Sequence, residues 1–137
     1  MNFHEYQIKA SQTACYPNVG NSLFYPALGI AGEGGEVAEK VKKIYRDQNG
    51  IITDANRVAI TKELGDVLWY MAALCGELGI ELEDVAILNI DKVAKRISTN
   101  TLNGSGDDRE AISGLKHCSC HGGTVPAVYC ICKNQTP

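Results

Sequence analysis

The sequence predicts an all-α fold: a helical bundle of about four helices, completed by oligomerisation, with a Cys-rich non-helical tail at the C-terminus. Three observations lead there. Apolar residues recur at helical spacing through three long stretches. No stretch before the tail alternates apolar and polar residues as a half-buried strand would. After Ser98 the composition turns to Asn, Gly and Asp, and then to Cys. The 137 residues suit a single domain with its own core, but helical domains of this size often cover their remaining apolar faces with another copy.

The elements follow in order. Phe3, Tyr6, Ile8/Ala10 and Ala14 mark a short first helix over 2–14, and Tyr16 to Asn21 reads as a loop. Asn21 or Ser22 is placed to cap a second helix, with Pro26 either delaying its start or sitting in its first turn. Its apolar series is Leu23, Leu28, Ile30/Ala31, Val37/Ala38, Val41 and Ile44/Tyr45, and Gln48-Asn49-Gly50 ends it. Gly29, Gly32, Gly34 and Gly35 each cost a helix roughly 1 kcal/mol relative to Ala. Their density implies close packing of helices or close approach of a ligand. Thr53 or Asp54 starts a third helix, whose wide apolar face runs from Val58 to Leu78 before Gly79 stops it. Glu81 to Arg96 forms a fourth, acidic at its start and basic at its end as the helix dipole favours. The domain reading is 1–109 for the helical body and 110–137 for the tail.

Composition excludes several classes. A net charge of −3 argues against a general binder of nucleic acid polymers, which needs a basic face. No apolar run reaches the roughly 18 residues a membrane span requires. The opening MNFHEYQIKA lacks the basic and apolar regions of a signal peptide, so the expected location is the cytoplasm.

Two carboxylate pairs carry the chemistry. Glu33 and Glu36 lie three residues apart in GEGGEVAEKVKK, and Glu63 and Asp66 share that separation in KELGDVLWY. Residues three apart on a helix sit about 60° apart around the axis and about 4.5 Å apart along it, so each pair converges on one point. Each pair also abuts an apolar stripe rather than lying opposite it. Four facing anions repel one another and lose hydration unless a divalent cation sits among them, and an all-oxygen donor set suits Mg²⁺, with Mn²⁺ as substitute. The competing reading is a pair of solvated helix faces with no ligand.

These segments resemble the MazG-type all-α nucleoside triphosphate pyrophosphohydrolases, whose signature is ExxE, a variable spacer, then ExxD. Here it reads Glu33-x-x-Glu36, a 26-residue spacer, and Glu63-x-x-Asp66. Asn89, Lys92 and Arg96 resemble the family's NxxKxxxR element. EYQ, TACYP and NGSGDDR are similar to segments of small, phage-type members, which would place the protein in a host cytoplasm. The likeness covers roughly residues 2–109. Lys62 stands where many relatives carry a further acid, which leaves one fewer carboxylate.

The resemblance implies hydrolysis of (deoxy)nucleoside triphosphates between the α- and β-phosphates, releasing a nucleoside monophosphate and pyrophosphate. It implies Mg²⁺ held by Glu33, Glu36, Glu63 and Asp66, with Glu36 or Glu63 as general base. Asn89, Lys92 and Arg96 would bind the phosphates, and the expected assembly is a homodimer or homotetramer. Alternatives are hydrolysis of the alarmone (p)ppGpp, or a non-catalytic regulator that binds nucleotide or metal.

The tail holds two CxC pairs, Cys118/Cys120 and Cys130/Cys132, nine residues apart and flanked by His117 and His121. Four thiolates can bind Zn²⁺, although CxC is geometrically tighter than the usual CxxC. The competing reading is a flexible tail of free thiols, since disulfides are disfavoured in a reducing cytosol.

Overall fold

The computed structural model describes residues 1–98, which form four helices and no strand: α1 (Phe3–Ser11), α2 (Phe24–Gln48), α3 (Asp54–Leu78) and α4 (Leu82–Ser98). The all-α prediction holds for these residues. The 109/110 boundary, the tail and the zinc candidates Cys118, Cys120, Cys130 and Cys132 lie outside them. The chain divides into two compact units, Met1–Leu78 and the segment from Gly79 onward.

Helix ends show which local signals win. Asn2 caps α1, its side-chain oxygen accepting from the Glu5 N–H at 2.8 Å. The helix stops at Ser11 rather than at the expected Ala14. The Ser11 and Thr13 hydroxyls donate to the Ile8 and Ala10 carbonyls, both at 2.8 Å, and so compete for acceptors the helix would otherwise use.

At α2 the expected cap at Asn21 or Ser22 is displaced. The helix starts at Phe24 behind Leu23, which makes no side-chain cap. The Gly20 and Ser22 N–H groups instead donate to Glu77 of α3, at 2.8 and 2.9 Å, and this tertiary acceptor holds the segment as loop. Pro26 sits in the first turn, where a missing N–H leaves no helical hydrogen bond unmade. At the other end Asn49 (φ 52°) and Gly50 (φ 78°) are left-handed, and the Gly50 N–H returns to the Ile44 carbonyl at 3.1 Å.

Thr53 and Asn56 cap α3 reciprocally. Thr53 Oγ1 accepts from the Asn56 N–H at 3.2 Å, while Asn56 Oδ1 accepts from the Thr53 N–H at 2.9 Å. Gly79 (φ 66°) follows its last residue in the conformation expected of a stop.

Within the first unit, α2 packs along α3, and α1 also packs on α3. The short 49–53 connection makes α2 and α3 an antiparallel pair: Gly29 lies against Tyr70, whereas Lys40, farther along α2, meets Glu63, earlier on α3. Ala10, Tyr16, Pro26, Ile44, Ala72 and Cys75 are buried. Neither Cys75 nor the exposed Cys15 is in a disulfide among the described residues. Much apolar surface stays in solvent: Phe24 is 83% exposed, Leu28 69%, Val58 58% and Leu64 52%.

Candidate functional site

The antiparallel pairing of α2 and α3 carries the two carboxylate motifs to one place. Glu33 of α2 and Glu63 and Asp66 of α3 each offer an oxygen, and the three oxygens lie within 4.8 Å of one another. Glu33 and Glu63 are half-buried and Asp66 is exposed. Glu36 is not part of this group. It is exposed on α2, one turn beyond Glu33, near enough for its charge to act on Glu33 and Lys40.

The electrostatics match this crowding. The Glu33 carboxyl is pushed above its usual range, first by burial and then by the charges of Asp66, Glu63 and Glu36. Tyr6, on α1, is raised by burial and by Asp66. Tyr70 is raised chiefly by burial, with the charges of Glu33 and Asp66 adding to it. The cluster is therefore bordered by two phenols.

A raised carboxyl stabilises the fold fully below the unfolded value, 4.5 for Glu33, and that stabilisation is lost as pH rises through the folded value. In chelator, Glu33→Gln is therefore expected to melt above wild type at about pH 8, with the difference closing by about pH 4. Thermal melts at both pH values check this, and saturating Mg²⁺ is expected to remove the difference at the higher pH.

Two residues that motif spacing did not single out prove important. Lys40 Nζ lies 3.0 Å from Glu63 Oε1, with both side chains largely shielded, at 30% and 18% exposed. Glu63 raises Lys40 above its usual range, mainly through their hydrogen bond. The signal was available: Lys40 is seven residues after Glu33 and four after Glu36, so it shares their face of α2. Glu77 is the second. It accepts from the Tyr16 hydroxyl at 2.6 Å as well as from the Gly20 and Ser22 N–H groups. These donors hold its carboxyl below the usual range against the opposing effect of burial, with Tyr16 the largest contributor. Glu77 lies eleven residues beyond Asp66, about 16 Å along the helix, so it anchors a loop rather than joining the cluster.

That loop builds an aromatic group beside the carboxylates. Tyr16 stacks on Tyr25 with ring centroids 5.0 Å apart, and Trp69 meets Tyr70 edge-on at 5.0 Å. Trp69 Nε1 donates to Thr13 Oγ1 at 2.8 Å, tying α3 to the end of α1. Tyr16 has its ring face on Tyr25 and its hydroxyl on Glu77, and its phenol is pushed up to about 12, first by burial and then by Glu77. The other cations of α2 are engaged nearby: Lys42 and Lys43 with Glu39, and Arg46 with Asp47.

Asn89, Lys92 and Arg96 lie on α4, in the second unit. Their spacing of three and four residues keeps them on one side of that helix, with Asn89 and Lys92 exposed and Arg96 half-buried.

The donor set fits a hard divalent ion. Carboxylate oxygens about 2.1 Å from a shared octahedral ion lie about 3 Å apart when adjacent and about 4.2 Å apart when opposite. The observed cluster is within a side-chain adjustment of that spacing, and its donors are all oxygen.

Comparison with known proteins agrees with this geometry. Residues 26–99 match the MazG nucleotide pyrophosphohydrolase domain. The Gene 37 protein of Mycobacterium phage L5 is 45% identical over 114 residues, which are 80% of this chain and all of that protein. No solved structure matches. Among the described residues, no helix is long and apolar enough to cross a membrane. With its matched domain spanning both carboxylate motifs, the chain belongs to the MazG nucleotide pyrophosphohydrolase family.

Proposed function

We propose that this protein hydrolyses (deoxy)nucleoside triphosphates to nucleoside monophosphate and pyrophosphate, using Mg²⁺, for which Mn²⁺ can substitute. The observation that carries the reading is the convergence of Glu33, Glu63 and Asp66 from two separate motifs onto one point. These three carboxylates would hold the ion, and Glu36 stands beside them as a fourth acid. When bound, the ion would neutralise phosphate charge and lower the pKa of a coordinated water. Glu36 is exposed and outside the three-oxygen group, which suits it to take the proton of the attacking water. Glu63, engaged with Lys40 and the other acids, is the weaker candidate for that role.

Asn89, Lys92 and Arg96, on one side of α4, would bind the phosphates, the two cations by charge and Asn89 by hydrogen bonds. The exposed Phe24, Leu28, Val58 and Leu64 favour self-association as a dimer or tetramer, checked by light scattering on the purified chain. The similarity to a phage protein supports action in a host cytoplasm on its nucleotide pool.

The test is incubation with each dNTP and Mg²⁺, with products resolved by chromatography. Monophosphate and pyrophosphate are expected in equal amounts, and Glu36→Gln is expected to slow their release about a hundredfold. Release of orthophosphate, or undiminished turnover by Glu36→Gln, would overturn the assignment.

A further inference from the structure

Lys40 is a cation paired with Glu63, a member of the carboxylate cluster. It reaches across from α2 to Glu63 at 3.0 Å, and both side chains are largely shielded from water. Its neighbours Lys42 and Lys43 behave differently, turning to Glu39 on their own helix with side chains at least half exposed. An ammonium against a metal-ligand carboxylate does two opposed things. It offsets the mutual repulsion of Glu33, Glu63 and Asp66, and it lowers the attraction of the same group for any other cation.

We infer that Lys40 is a built-in counter-cation for the carboxylate cluster, a positioning residue that stabilises the metal-free fold and must yield Glu63, in part or whole, when a divalent ion binds. Metal loading is then an exchange of one cation for another. A site that gives up an internal cation binds the free ion more weakly than its acids alone would. The inference rests on the reading of Glu33, Glu63 and Asp66 as a metal site.

The experiment uses the full chain and Mn²⁺ alone, with free Mn²⁺ read by electron paramagnetic resonance. Lys40→Met keeps the apolar stem and removes the charge. Lys42→Met makes the same change in net charge on a cation that faces Glu39. Lys40→Met is expected to bind Mn²⁺ up to about thirtyfold more tightly than wild type, the scale of removing one unit charge about 4 Å from a divalent ion in a water-like medium. Lys42→Met and Lys40→Arg are expected to stay close to wild type. In chelator, Lys40→Met is expected to melt below wild type, and saturating Mn²⁺ is expected to close that gap.

A purely structural lysine gives another pattern: unchanged or weaker Mn²⁺ binding, and a melting deficit that persists with metal. That pattern would overturn the role assigned to Lys40 while leaving the metal site standing. Equal tightening in Lys42→Met would reduce the effect to net charge and overturn it likewise. A wild-type chain that binds no Mn²⁺ would overturn the metal site, and this inference with it.

Discussion

Replacing Glu63 with Gln is expected to lower kcat/KM about a thousandfold while leaving the helical fold in place. Loss of one preorganised electrostatic contact at a reacting centre commonly costs 10²–10³ in rate, and Glu63 serves the site twice. It contributes an oxygen to the cluster of three, and it is the acid that holds Lys40. Glutamine keeps the shape but supplies a neutral oxygen, so the cluster loses charge at the point where α2 and α3 meet. The fold survives because glutamine keeps the side chain's shape and the packing of α2 along α3 stays in place, although part of the stabilisation from the Lys40 pair is lost. Steady-state kinetics give the rate, and circular dichroism with a thermal melt shows whether helix content and cooperativity are kept. A variant that retains more than a tenth of wild-type turnover would remove Glu63 from the catalytic centre. Glu33→Gln should behave similarly in kinetics, yet melt higher than wild type in chelator near neutral pH, because the Glu33 carboxyl is raised first by burial and then by its acidic neighbours.

The largest expected effect on stability is at Gly29. A Cβ there would overlap Tyr70 Cδ1 and Cε1, well inside van der Waals contact with the ring. Tyr70 cannot swing aside freely, because Trp69 lies edge-on to it at 5.0 Å and Tyr25 is tilted against it at 6.3 Å. Gly32, one turn along the same helix, has no atom of the described residues within 4 Å of its added Cβ. The two positions form a matched pair. Both gain up to about 1 kcal/mol of helix propensity on becoming Ala. Gly29→Ala also meets an overpacking cost of about 1–3 kcal/mol. Gly32→Ala is therefore expected to raise the melting temperature by a few degrees, and Gly29→Ala to lower it, with the two variants separated by about 5–15 °C for a body of this size. Equal melting temperatures would mean that the Gly29–Tyr70 contact does not constrain the helix pair. Loss of turnover in Gly32→Ala, with stability kept, would assign the open space beside Glu33 to substrate.

These glycines also show what a sequence pattern leaves open. Four of them in seven residues imply close approach of something, but the pattern cannot say at which position. The structure distinguishes them: Gly29 faces a ring, while at Gly32, Gly34 and Gly35 no atom of the described residues is near enough to meet a Cβ. The carboxylates behave the same way. Spacing of three places Glu33 with Glu36 and Glu63 with Asp66, because helical geometry is local and regular. Yet the oxygens that gather are Glu33, Glu63 and Asp66, both acids of the α3 pair and one of the α2 pair, since the alignment of the facing helices decides which acids meet. Lys40 and Glu77 were harder to read for a related reason. A lysine in EKVKK and a glutamate in CGEL each look like solvated helix positions until a partner from a distant part of the chain is brought to them.

Helical periodicity, the start at Thr53, the stops at Asn49-Gly50 and Gly79, and the ordered ExxE and ExxD motifs all belong to stretches of a few turns. Their physics is short-range, so the chain's own order was enough to locate them. Tertiary packing chose the rest: the start of α2, where Glu77 captures the loop ahead of Phe24; the contact of Gly29 with Tyr70; and the pairing of Lys40 with Glu63. Each of these joins residues more than 20 positions apart, and such contacts depend on how two helix faces are aligned, which no local pattern specifies.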